Sequence, residues 1–405
     1  MRILIYGLNF SPELTGIGKY TGEMSEWLVA RGHDVRVVTT PPYYPEWKVS
    51  PDYSTWRYRL EGRIWRCPLW VPSRPSGLKR VLHLASFAAS SLPAVLLHAL
   101  WRPDVVWVVE PTLFCAPAAW LVARLGGGRT WLHIQDFEVD AAFELGLLRS
   151  PILRNWIGYL ERWWMNRFDR VSTISANMLA RLHTKGVEVE RMVLFPNWVD
   201  TKSIFPSSEE NWVRKELGLG SEVLVALYSG NMGDKQGLEV IVAAARILVH
   251  QPHICFVMCG NGVARTHLEK DAEGLTNIRW LPLQAAERFN DLLNAADIHL
   301  LPQRANAADL VMPSKLTGML ASGRLVVATA SLGTAIAEVV VGRGVVVPPE
   351  DPAIFAQAIL RLAGDSDLRK RLGAAARKYA VDNLDNEVIL RQFEKELLSL
   401  SADTQ

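Results

Sequence analysis

Short apolar runs alternate with longer amphipathic segments along almost the whole chain, the pattern of parallel strands joined by helices. In the first half, strands are predicted at 2–6, 35–39, 105–109, 130–134 and 170–175. Helices are predicted at about 17–30, 114–125 and 151–166, with Gly32 closing the first. Between 41 and 78, prolines, aromatics and arginines interrupt the alternation, which predicts a long loop or a small excursion rather than a core layer. A short strand around Val193–Phe195 gives way to a polar stretch from Thr201 to Asn211. The second half then predicts strands at 223–228, 254–259, 278–281, 298–301 and 325–328, helices at 237–250, 263–272, 286–295 and 314–322, and a helical tail.

One opening is written twice. Ile3–Tyr6 runs into a loop with Gly7, Pro12, Gly16 and Gly18, and Val223–Tyr228 runs into Gly230, Gly233 and Gly237. A glycine at a strand-to-helix turn lets backbone approach a ligand, and the helix start behind it offers N–H groups to phosphate. The duplication predicts an α/β protein of two Rossmann-like domains, their parallel sheets facing a central cleft. A chain of 405 residues also exceeds what one core usually serves. The expected division is 1–198, 199–380, and a C-terminal helix 381–405 that packs back on the first domain.

Composition narrows the setting. A net charge of +2 without runs of like charge excludes a nucleic-acid partner as the leading reading. Cysteines 67, 115, 255 and 259 have neither CxxC nor metal-ligand spacing, and the start of the chain has no signal-peptide pattern, so a cytoplasmic setting is expected. Val81–Trp101 contains no Asp, Glu, Lys or Arg, yet its serines, histidines and Pro93 favour a helix packed on the sheet over a membrane span. Lys79, Arg80 and the cluster Trp56, Arg57, Tyr58, Arg59, Trp65 and Arg66 add a peripheral membrane surface as an expectation.

Ligands in parallel sheets bind beyond the C-terminal strand ends. Gly16-Ile17-Gly18-Lys19 is the first candidate there, for a phosphate or a sugar; the same residues also make an ordinary helix start. Asp136, after the strand that carries His133, stands where a catalytic or substrate-orienting carboxylate would stand, or caps a helix. His133 reads as a core histidine. Ser229–Gly237, with Gly230, Asn231 and Lys235, reads as a diphosphate cradle built on backbone amides. Asp309–Lys315 is the fourth candidate: Pro313, Ser314 and Lys315 combine a rigid entry, a capping hydroxyl and a cation at a helix start.

The glycine loop, Arg31-Gly32-His33-Asp34-Val35, Pro196-Asn197-Trp198-Val199-Asp200, Gly260-Asn261-Gly262, Ala295-Ala296-Asp297 and Leu320-Ala321-Ser322-Gly323 fall in an order that resembles the GT-B glycosyltransferases of family 4. The stretch to Pro45 and Pro313-Ser314-Lys315-Leu316 resemble more narrowly the family's enzymes of colanic acid biosynthesis, read as fucosyltransferases. The resemblance implies retaining, metal-independent transfer of a sugar from a nucleotide diphosphate sugar, with GDP-fucose a candidate donor and no further cofactor. It implies a glycan or lipid-linked oligosaccharide acceptor at the cytoplasmic face of the inner membrane. Carried over by residue, Gly16 and Gly18 lie near the donor phosphates and sugar, Gly260 and Gly262 near the base, and Lys315 near the diphosphate. Asp136 matches the acid of the family's His-Asp pair.

Several positions depart from the family pattern. Its arginine and lysine read Asn231 and Gln236, with Lys235 adjacent; its paired glutamates fall at Leu310 and Gly318, with Asp309 the nearest acid; and its histidine before Asp136 is Gln135. Loss of both glutamates fits a deoxy sugar such as fucose or a changed pose. Two other classes use the same architecture: a nucleotide-sugar 2-epimerase, active without acceptor, and a non-catalytic nucleotide-sugar or glycan-binding assembly protein.

Overall fold

Ile3, Leu4, Ile5 and Tyr6 are all buried, which is the mark of a strand covered on both faces of a parallel sheet. This strand, β1 (Arg2–Tyr6), lies inside an eight-stranded sheet, paired in parallel with Asp34–Thr39 on one side and Val105–Glu110 on the other. The computed structural model describes residues 1–13, 16–44, 46–73, 77–110, 113–137, 151–207, 211–233, 236–305 and 313–402. Lys235 and Asp309 lie outside the described residues.

The first unit comprises Met1–Pro196 and Leu390–Gln405. After β1 come α1 (Gly16–Ala30), β2 (Asp34–Thr39), β3 (Arg59–Glu61), β4 (Ile64–Arg66), α2 (Gly77–Leu97), β5 (Val105–Glu110), α3 (Ala116–Gly126), β6 (Arg129–Ile134), α4 (Pro151–Met165), β7 (Arg170–Thr173), α5 (Ala176–Thr184) and β8 (Met192–Leu194). The 41–78 segment departs from expectation: β4 pairs in parallel with β2, and β3 returns antiparallel on β4, so the segment widens the core sheet. Strands of three residues are too short to write a visible alternation.

Helix α2 covers the sheet with His83, Leu84, Phe87, Ser91, Ala94 and Val95, and Tyr6 and Ser91 share a buried hydrogen bond of 2.6 Å between their hydroxyls. Among the described residues, Gly77–Trp101 is the one helical stretch long and apolar enough to cross a membrane, although 39% of its most apolar window is buried against the protein.

The second unit, Asn197–Ile389, carries α6 (Trp212–Glu216), β9 (Leu224–Ser229), α7 (Glu239–Ile247), β10 (Ile254–Cys259), α8 (Arg265–Asp271), β11 (Ile278–Leu281), α9 (Phe289–Ala295), β12 (Ile298–Leu301), α10 (Lys315–Ala321), β13 (Leu325–Thr329), α11 (Ala335–Val340), β14 (Gly344–Val347), α12 (Pro352–Gly364) and α13 (Ser366–Asn383). Its six strands run parallel in the order β11-β10-β9-β12-β13-β14, with separate apolar clusters on the two faces. The edge strand β14 adds to the five strands expected from the sequence.

The last helix, α14 (Asn386–Ala402), begins in the second unit and continues into the first at Leu390, not at the expected 381. Backbone bonds from Val199 N to Leu384 O (2.8 Å) and from Asn386 N to Val199 O (3.0 Å) keep the turn before α14 in the second unit. Beyond it, Phe393 stacks on Phe195 at 4.4 Å, and Glu394 receives Arg31 at 3.0 Å and His33 at 2.9 Å.

Candidate functional site

In the first unit, the loop after β1 folds over a buried carboxylate, Glu13. Its oxygens accept from Asn9 Nδ2 (2.9 Å), Tyr43 N (3.1 Å) and Tyr44 N (3.0 Å). Desolvation raises the Glu13 pKa, and these hydrogen bonds together with the Arg66 charge hold it down in part. A Cβ at Gly18 would lie 2.6 Å from Glu13 Oε2 and 2.7 Å from Glu13 Cβ. Gly18 is therefore required by the packing of Glu13. Gly16 differs: its φ of +60° is a left-handed conformation, and only Tyr44 Cε1, at 3.8 Å, comes near its open side.

Asp136 follows the end of β6 and is half-buried. The Tyr44 phenol is pushed up by burial first, then by the Asp136 and Glu13 charges, with Arg80 opposing. Tyr44 therefore accompanies Gly16 with its ring, holds Glu13 through its N–H, and feels the Asp136 and Glu13 charges at its phenol. Nothing in the sequence pattern singled out Glu13 or Tyr44; an acid between Pro12 and an apolar helix was the available signal.

His133 belongs to the core beneath this site. It stacks on Trp107 at 5.4 Å, and its Nδ1 meets Ser172 Oγ at 2.8 Å, where Trp131 Nε1 also donates. Its Nε2 lies 3.0 Å from the Gln135 amide nitrogen, so the imidazole props the residue preceding Asp136. Burial lowers its pKa to about 3 and keeps the ring neutral.

The second unit repeats the geometry with the opposite charge. Gly230 ends β9 at φ +136°, and Gly260 and Gly262 follow β10 at φ +141° and +154°. A Cβ at Gly260 would fall 1.9 Å from Gly230 O, and one at Gly262 would fall 2.3 Å from Met232 O. The two loops lie backbone against backbone, so Gly260 and Gly262 support the Gly230 loop. Three of its amides are engaged: Gly230 N donates to Cys259 O (3.0 Å), Met232 N to Asn261 O (2.8 Å) and Gly233 N to Gln236 Oε1 (3.0 Å). Those three N–H groups of the expected cradle complete the fold, while Asp234 and Lys235 lie outside the described residues. Gln236 closes the turn, and Asn231 is exposed.

The charge comes instead from Lys315. Its Nζ donates to Tyr228 Oη at 2.9 Å and lies 4.2 Å from that ring's centroid. A Cβ at Gly230 would stand 3.3 Å from the same nitrogen. Tyr228 in turn donates to Asn231 O at 2.6 Å. Desolvation pulls the Lys315 pKa down to about 7. An ammonium this poorly hydrated is poised to gain from an anion. Ser314 precedes α10 in position but its hydroxyl makes no capping bond, a correction to the expected cap; the residue is exposed. Among the described residues no three His, Cys, Asp or Glu side chains gather as metal ligands. Arg265, unnoticed in the sequence, braces the second loop through Gly260 O (2.6 Å) and Leu281 O (3.1 Å).

Two α/β units, each built on parallel strands with charged groups at the strand ends, are the class of protein that the fold defines. The chain belongs to the GT-B glycosyltransferases of family 4: the glycosyl transferase 4-like domain matches residues 15–198 and the glycosyl transferases group 1 domain matches residues 224–365. It is 45% identical to a protein named for colanic acid biosynthesis glycosyl transferase, WcaI of Escherichia coli (strain K12), over 97% of this chain and 98% of that one. Among solved structures, sucrose-phosphate synthase from Thermosynechococcus elongatus superposes with a TM-score of 0.76 at 17% identity, covering 100% of both chains. Anabaena HepE in complex with UDP and glucose gives a TM-score of 0.70 at 15% identity, covering 98% of this chain and 100% of that one. These structures bear on the fold alone. The protein is a glycosyltransferase.

Proposed function

We propose that this glycosyltransferase moves a sugar, with retention of configuration, from a nucleotide diphosphate sugar to a lipid-linked oligosaccharide in the biosynthesis of a colanic acid-like exopolysaccharide. The observation that carries the reading is the desolvated Lys315 ammonium, held on Tyr228 against Gly230. As the glycosidic bond breaks, negative charge grows on the departing diphosphate, and a fixed cation in a water-poor site stabilises that state above the bound donor. The full-length similarity to the colanic acid relative supports the pathway.

In this reading Gly230, Asn231, Ser314 and Lys315 meet the donor, Gly260 and Gly262 hold the loop that meets it, and Lys235 and Asp309 complete the set. Asp136 orients or deprotonates the acceptor hydroxyl, with Gly16 beside it and Gly18 holding Glu13 in place. The lysines do the charge stabilisation that a metal does elsewhere. Leu310 and Gly318, at the places of the family's glutamates, favour a deoxy sugar, and GDP-fucose is the proposed donor. A lipid-linked acceptor puts the reaction at the cytoplasmic face of the inner membrane, with the enzyme in peripheral contact.

The test is a thermal-shift panel of GDP-, UDP- and dTDP-sugars on wild-type protein and on Lys315→Ala. One nucleotide family should raise Tm, and the folded variant should lose the shift. No shift from any family, or an equal shift in the variant, overturns the proposal.

A further inference from the structure

Helices α2, α3 and α4 of the first unit contain one acidic residue among them, Glu161, and its carboxylate is buried against Lys185 Nζ at 2.5 Å. Among the described residues, every exposed charged side chain on these helices is basic, and most of the others are apolar. Leu78 and Leu82 on α2, Leu121 and Leu125 on α3, and Trp156 and Trp163 on α4 all stand exposed, Leu78 to 73%, Leu125 to 62% and Trp156 to 63%. On α4, Trp156, Tyr159, Leu160 and Trp163 recur at the spacing of a single helix face, while Glu161 and Met165 turn to the protein.

The three helices adjoin. Helix α2 packs on α3, and Arg167, just beyond α4, bridges the next pair: its guanidinium lies 3.7 Å from the Trp163 ring centroid and 5.8 Å from that of Trp120 on α3. A cavity of about 460 Å³ opens there, lined by Trp120, Arg124, Arg167 and Arg170 and by the ion pair of Arg129 with Asp169 (3.0 Å). Lys79, Arg80, Arg124, Arg162 and Arg167 form no ion pair among the described residues.

A broad exposed apolar stripe marks an interaction surface, and its chemistry selects the partner. Indole and phenol rings settle at the boundary between headgroups and acyl chains, while long cationic side chains lay their stems on apolar surface and reach phosphate. A second copy of this face would bring unpaired like charges together, whereas an anionic bilayer neutralises them. We propose that the outer face of α2, α3 and α4 docks on an anionic lipid bilayer, its tryptophans at the headgroup boundary and its arginines on lipid phosphates. The inference deepens the reading of a lipid-linked acceptor, yet its test uses neither donor nor acceptor, so the two fail separately.

The experiment is co-sedimentation of the full chain with phosphatidylglycerol–phosphatidylethanolamine vesicles and with phosphatidylcholine vesicles. Wild-type protein should bind the anionic vesicles, prefer them to the neutral ones, and release as salt is raised. Arg124→Gln combined with Arg162→Gln should weaken binding about 25-fold, roughly five-fold for each charge removed. Trp156→Ser combined with Trp163→Ser should weaken binding to the same vesicles, with both variants checked as folded by circular dichroism. Absence of binding by folded wild-type protein, or binding that neither double variant reduces, overturns the proposal. So does a lipid-independent dimer that both variants abolish, which would assign the face to a second copy.

Discussion

The strand-end sites of the two units share one geometry and differ in the sign of the charge they bury. After β1 a glycine loop closes over Glu13, with Asp136 and Tyr44 beside it; after β9 a glycine loop closes over Lys315, seated on Tyr228. In both, the glycines make room for the charged side chain or for a neighbouring loop, and desolvation shifts the pKa of the group toward its neutral form. The contrast teaches that a repeated βα unit acquires its chemistry from the buried ionisable group. An acceptor hydroxyl calls for a nearby carboxylate, and a diphosphate calls for a cation.

Substitutions at the two charged centres carry the largest expected effects. Asp136→Asn should lower kcat about a thousand-fold while leaving nucleotide affinity near wild type. Steady-state transfer rates paired with calorimetric titration of the nucleoside diphosphate measure both quantities. Should Asp136→Asn weaken nucleotide binding as Lys315→Ala does, the two sites are not specialised by charge.

A smaller effect probes whether Glu13 is structural. Glu13→Ala removes the acceptor for two backbone N–H groups and should destabilise the protein by roughly 2 kcal/mol in urea unfolding, with Glu13→Gln recovering part of that. Equal stability of wild type and Glu13→Ala would show that the loop is held by something else.

The gentlest test is pH. The folded pKa of Lys315 is lowered to about 7 from 10.5, so between those values the unfolded chain holds the extra proton. Stability of the ligand-free protein should therefore rise with pH across that window, and this contribution is lost as pH falls through about 7. A diphosphate favours the protonated lysine, so nucleotide affinity should fall as pH rises past 7, by up to about tenfold per unit. Calorimetry from pH 7 to 9 measures the slope, and Lys315→Arg should flatten it. A flat wild-type profile would contradict the assignment of Lys315 to the diphosphate.

Much of this contrast was legible in the sequence. Gly16, Asp136, Gly230 and Lys315 stand out because strand, loop and helix starts are written in local hydrophobic pattern and punctuation, and ligands gather at such ends. Glu13, Tyr44 and Tyr228 did not stand out, because their importance comes from partners brought in across the sheet. The packing demand at Gly18, Gly260 and Gly262 is invisible in the sequence, because the atoms that exclude a side chain there, Glu13, Gly230 O and Met232 O, are set by the fold. Strands β3, β4 and β14 escaped for another reason: at three or four residues, their identity rests on a neighbour to pair with.

By itself, the amino-acid order determined the α/β class, the two openings and the family to which the chain belongs, since periodicity and motif spacing are properties of neighbours in sequence. Only the tertiary structure decided which backbone amides are already bonded, which glycines meet protein, and which charges are stripped of water. Hydrogen-bond satisfaction and desolvation depend on atoms far apart in the chain: Lys315 meets Tyr228 from 87 positions away, and Glu394 reaches His33 across 361.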